Sequence, residues 1–186
     1  MSKILSISLA LITFVIGIGV GFTFTPEYAL ESSMKNSGMV ELGRADKYVD
    51  QRYINNMIAH HENAIDMMGQ ALKNTNREEI KNLATTIINL DQASIEKLYG
   101  LKKEWYKDTK KITIFTKTNL GEKDENFELR LLNALIAHHE DAIDSSKEIM
   151  SKSIRTKTLN IANDTIELLT SNKEQLLKWR KDWYNI

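Results

Sequence analysis

Residues 53–72 read Y-I-N-N-M-I-A-H-H-E-N-A-I-D-M-M-G-Q-A-L, and residues 131–150 read L-L-N-A-L-I-A-H-H-E-D-A-I-D-S-S-K-E-I-M. The second stretch repeats the first at an offset of 78, with Asn55, Ile58, Ala59, His60, His61, Glu62, Ala64, Ile65 and Asp66 recurring as Asn133, Ile136, Ala137, His138, His139, Glu140, Ala142, Ile143 and Asp144. The alignment runs on without a gap from 53–106 to 131–184, through Arg77/Arg155, Asn82/Asn160, Ala84/Ala162, Ile88/Ile166, Leu90/Leu168 and Glu96/Glu174. It closes on Leu98/Leu176, Lys103/Lys181, Trp105/Trp183 and Tyr106/Tyr184. Two copies of so long a unit do not make a solenoid. They make a duplicated domain.

Each copy reads as two helices. Ile54, Met57, Ile58, His61, Ile65, Met68 and Leu72 recur at three- and four-residue steps, the stripe of a half-buried helix. Lys73 to Asn76 breaks the stripe, and Asn76 with Glu79 three residues on reads as a helix start. A second stripe follows through Ile80, Leu83, Ile87, Leu90, Ile95, Leu98, Leu101 and Trp105. The second copy does the same with Leu132, Leu135, Ile136, His139, Ile143 and Met150, then Leu159, Ile161, Ile166, Leu169, Leu176 and Trp183. Two hairpins with short turns predict an all-α fold, an antiparallel four-helix bundle over residues 46–186. The hairpins would span 46–107 and 124–186, joined by a crossover at 108–123 in which residues 112–116 run extended. The Trp-Tyr pairs would plug an end of the bundle.

Residues 4–24 carry no charge and are long enough as a helix to cross a bilayer core. Lys3 precedes them and Glu27 and Glu31 follow, which predicts a transmembrane anchor within 1–25 with the bulk of the chain outside. A cleaved signal peptide is the alternative, and both readings export the domain. Residues 26–45 would be a tether, its Met34 and Met39 either plain linker or a soft-metal arm. Zero net charge leaves no basic excess for nucleic acid, and the absence of cysteine removes disulfides and thiolate metal sites. Nothing resembles a nucleophile with its base or a phosphate loop, so no catalysis is expected.

All four histidines lie in the two His-His pairs. His61 falls at the centre of the apolar stripe, with His60 about 100° to one side on the line of Met57, Ala64 and Met67. Imidazole in an apolar seam needs partners for its nitrogens, and a metal or a carboxylate supplies them. Met57, Met67 and Met68 crowd the first pair, and imidazole with thioether suits copper, as Cu(I) or Cu(II), better than hard cations. Glu62 and Asp66, with Glu140 and Asp144 in the second copy, lie off the His61 line and would orient a histidine on a neighbouring helix or serve as hard donors. The metal set would therefore be Met57, His60, His61, Met67, Met68, His138 and His139, for copper sequestration or handover at the membrane. The competing readings are a metal-free helical module at the membrane, its histidines paired with acids, and a di-iron carboxylate protein. The last expects Glu-x-x-His, where this chain has Ile65 and Ile143 three residues after its glutamates.

The run M-I-A-H-H-E-N-A-I-D-M-M at 57–68 resembles the exported family known as domain of unknown function 305. The resemblance implies a ferritin-like helical fold from about residue 45 to the end. It also implies copper binding through Met57, His60, His61, Met67 and Met68. The second copy departs from that pattern, with Leu135, Ser145 and Ser146 in place of the methionines. Leu98 and Leu176 stand where a further methionine is expected. Either the two copies pool their ligands, or the second is weaker and more imidazole-like, or binding has decayed.

Overall fold

The structure, a computed structural model, describes residues 39–113 and 117–186. The expected anchor, the tether as far as residue 38 and residues 114–116 of the crossover lie outside the described residues. Among those described, no helix is long and apolar enough to cross a membrane.

The described residues form four helices in order: α1, Val49–Asn74; α2, Glu78–Tyr106; α3, Phe127–Met150; and α4, Thr156–Tyr184. They form the two expected hairpins, α1 with α2 and α3 with α4, joined through an α1–α3 contact. Apolar stripes decide which helices go inside. Thirteen residues are buried in each of α1 and α3 against five in α2 and three in α4, so the first helix of each hairpin forms the centre. The two run antiparallel. Tyr53 near the start of α1 shares a 2.9 Å hydrogen bond with Ser146 near the end of α3, and Thr75 just past α1 donates to Glu128 at the start of α3.

The hairpins brace each other reciprocally. Arg77 pairs with Glu128 at 2.5 Å and lies 4.2 Å over the Trp183 ring. Its repeat equivalent Arg155 faces Asp50, the equivalent of Glu128, at 3.4 Å and lies 4.4 Å over Trp105. Thr75 donates to Glu128, and its equivalent Ser153 donates to Asp50 at 2.5 Å. Each turn thus docks on the opposite hairpin, and the tryptophans expected as plugs stack under arginines of the other copy. Both second helices end alike, with Lys107 and Asn185 in the left-handed region at φ 55° and 58°.

Three details differ from expectation. Asn76 does not cap α2, which starts at Glu78 after an extended Arg77. Thr75 instead accepts the Arg77 N–H at 3.0 Å, because the chain must turn before α2 can begin. Leu72, Leu90 and Met150, read as stripe residues, are 39%, 58% and 42% exposed. The duplicated unit also starts earlier than residue 53, inside the regions expected to be tether and linker. Leu42-Gly43-Arg44-Ala45-Asp46 matches Leu120-Gly121-Glu122-Lys123-Asp124 in structure. Both leucines are fully buried, and both glycines take positive φ, at 64° and 75°. Arg52 donates to the Leu42 and Arg44 carbonyls and pairs with Asp46, while Arg130 does the same with Leu120, Glu122 and Asp124.

A histidine waist as candidate metal site

Burial along the bundle is interrupted in the middle. One apolar cluster takes Tyr53, Ile54, Met57 and Ile58 of α1 with Leu98, Leu101, Ala142, Ile149 and Ala162. The other takes Met67, Met68 and Ala71 of α1 with Ile80, Ala84, Phe127 to Ile136 and Leu176. Between them α1 contributes residues 59–66 and α3 residues 137–141, the two His-His pairs among them. The outer helices match this gap, since no residue of 85–97 in α2 or 163–175 in α4 is buried. The protein is two apolar half-cores separated by a histidine waist.

The four imidazoles meet there. His60 and His138 stack face to face, centroids 3.7 Å apart and planes 4° from parallel. His61 stands edge-on to His60 at 5.6 Å, and His139 is tilted against His138 at 6.3 Å. His60, not His61, is the more buried of the first pair: His60 is 6% exposed, whereas the His61 side chain is 17% exposed. The wide buried arc explains the reversal. A helix packed against both α2 and α3 turns its α3-facing line inward as fully as its apolar stripe. Burial holds His60 well below the ordinary histidine range, helped by the imidazoles around it. Burial likewise pulls His138 down to about 3 and His139 to about 4, with His139 and His61 adding to the effect on His138 and the Lys173 charge to that on His139. At neutral pH these three rings are neutral, the form that binds a metal without first losing a proton.

Three of the carboxylates that flank the pairs are held by lysines. Asp66 pairs with Lys117 at 3.1 Å, Glu140 with Lys173 at 3.3 Å and Asp144 with Lys147 at 3.3 Å. Asp91 of α2 reaches a histidine, lying 2.9 Å from His61 Nδ1. Sequence reasoning passed over it, although its position carried a signal: Asp91 sits one turn from both Ile87 and Ile95, in the seam of α2. On the other side His138 Nε2 and His139 Nδ1 are buried without a hydrogen-bond partner. Such nitrogens are costly to bury unless something supplies the bond. Met57, Met67 and Met68 are buried at 2% exposure or less, Met57 in one half-core and the other two in the other, on either side of the waist. Among the described residues, no three His, Asp or Glu side chains converge as a ready-made ion site. The donors at hand are imidazoles in pairs, with thioethers above and below.

The fold and the waist together define a duplicated-hairpin helical bundle crossed by a layer of four imidazoles. Residues 50–128 match the family described as Domain of unknown function (DUF305), so the first hairpin and the crossover resemble that family in sequence. Solved structures of CopM resemble the chain in fold. The silver-soaked form has 25% identity and a TM-score of 0.65, covering 73% of this chain and 97% of CopM. The apo form has 26% identity and a TM-score of 0.63, covering 73% and 98%. The Cu(II)-bound form, at 24% identity and a TM-score of 0.65, supports the fold alone. No curated protein matches.

Proposed function

We propose that this chain is an extracytoplasmic copper-binding protein without catalytic activity, held at the membrane through residues 4–24, which sequesters copper or hands it on. The observation that carries the reading is the waist, where four imidazoles, three of them held neutral by their surroundings, gather in one layer with two nitrogens unpartnered. Structures of CopM, similar in fold, hold Cu(II), Cu(I) and silver, which agrees with a soft-metal role. The chemistry sets a condition. An imidazole donates along its ring plane, so two rings stacked in parallel cannot both point at one ion. His60 and His138 share an ion only if one ring turns out of the stack. Otherwise each takes its own ion with a neighbouring histidine or methionine.

The test is a competition titration of Cu(I) into residues 26–186 under reducing conditions, beside a variant with His60, His61, His138 and His139 all changed to alanine. Tight binding lost in the variant, with helical content kept, supports the reading. A folded wild type that binds neither Cu(I) nor Cu(II) sinks it, and leaves a metal-free helical module at the membrane.

A further inference from the structure

The repeat supplies a comparison within one chain. At the offset of 78, His61 corresponds to His139, and Asp91 to Leu169. On the first side the Asp91 carboxylate, with its side chain 16% exposed, sits 2.9 Å from His61 Nδ1. On the second side the equivalent carboxylate is absent and His139 Nδ1 is buried without a partner. Lys173, one turn beyond Leu169, brings a positive charge near His139, and it pairs with Glu140.

We infer that Asp91 is a positioning residue that makes the two outer imidazoles of the waist unequal, so that His61 takes the first soft monovalent ion and His139 the second. This filling order rests on the copper reading above; the asymmetry in the metal-free protein does not. A carboxylate accepting from Nδ1–H fixes that tautomer and leaves the lone pair on Nε2, aimed away from α2. It also makes the ring a stronger donor and restricts its rotation. The Asp91 charge attracts a cation at the same place. No carboxylate accepts from Nδ1 of His139, and the Lys173 charge on α4 disfavours a cation there.

The first measurement needs no metal. Long-range 1H–15N correlation spectra of the imidazoles in the full chain are expected to show His61 as the Nδ1–H tautomer. That signature should disappear in Asp91→Leu, which makes the first side resemble the second, and return in the conservative Asp91→Glu. Leu169→Asp should confer the Nδ1–H tautomer on His139. Silver nitrate titrated into the same samples should move the His61 signals before those of His139. In Asp91→Leu that order should be lost, with the first equivalent bound about 10- to 100-fold more weakly. His61 found as the Nε2–H tautomer, or a filling order unchanged by Asp91→Leu in a folded protein, overturns the inference. Absence of silver binding with the tautomer intact overturns the copper reading, and with it the filling order.

Discussion

A neutral imidazole buried against another imidazole is stable only where the pH keeps both neutral. His60, His138 and His139 all titrate below the ordinary value of about 6.5, to which each returns on unfolding. Above that pH they are unprotonated in both states and contribute no pH dependence. As the pH falls from about 6.5 towards 4, the unfolded chain takes up protons that the folded chain refuses, so stability falls. Each such histidine adds a slope of up to about 1.4 kcal/mol per pH unit over that window. Thermal melts of the metal-free protein at pH 7.5, 6, 5 and 4 should show a steep loss across the window. A His60→Phe/His138→Phe variant should leave only the smaller His139 part of it. A wild-type profile flat down to pH 4 would mean that the waist is hydrated and its histidines ordinary. Below about 4 a separate loss begins, because Asp108 and Asp124 are held below their usual range by a backbone N–H and by Arg130 respectively.

At the scale of the element, each inner helix is entered through the same short device. A buried leucine and a glycine with positive φ precede an arginine that gathers two carbonyls and an aspartate. The two glycines differ in their surroundings. A Cβ on Gly121 would meet the Arg130 guanidinium at 3.4 Å, whereas one on Gly43 would meet nothing within 4 Å. Both positions disfavour a side chain by roughly 1 kcal/mol through backbone conformation alone. Because 3.4 Å to a side-chain end is ordinary contact, Gly121→Ala and Gly43→Ala should lower stability about equally by chemical denaturation. A clearly larger loss at Gly121 would show that Arg130 cannot give. The sequence carried much of this scale. Apolar spacing marked all four helices and the hairpin turns, because a 3.6-residue period leaves little choice of burial. The residues of the entry device recur at the same offset too, Leu42, Gly43, Asp46 and Arg52 as Leu120, Gly121, Asp124 and Arg130. The carbonyls that the two arginines hold, however, are backbone and show in no residue identity. The same holds for the waist: the His-His pairs stood out at once, but which ring would face its copy depended on how α1 divides its surface between α2 and α3. Asp91 was hidden for a plainer reason, having no counterpart in the repeat.

For the whole molecule, reciprocal braces join the hairpins in addition to the covalent crossover. Arg77 and Thr75 of one hairpin hold Glu128 of the other, and Arg155 and Ser153 hold Asp50 in return. Most of the apolar burial of α1 and α3 lies in half-cores that both hairpins build. A protease site inserted near residues 111–113 and cleaved in the folded protein should leave two pieces that co-migrate on gel filtration, with helical content unchanged. They should separate only in denaturant. Pieces that part under native conditions would show that the crossover, not the bracing, holds the bundle together.

That reciprocity also says what one chain allows that a pair of identical hairpins would not. Two copies of a single hairpin could meet in the same embrace, but symmetry would then put the same residue on both sides of the waist. Fusion of the two sequences lifts that constraint. One side has methionines and an aspartate where the other has serines and leucines. The duplicated protein can thus present two dissimilar faces to whatever enters between them, and each can change without the other.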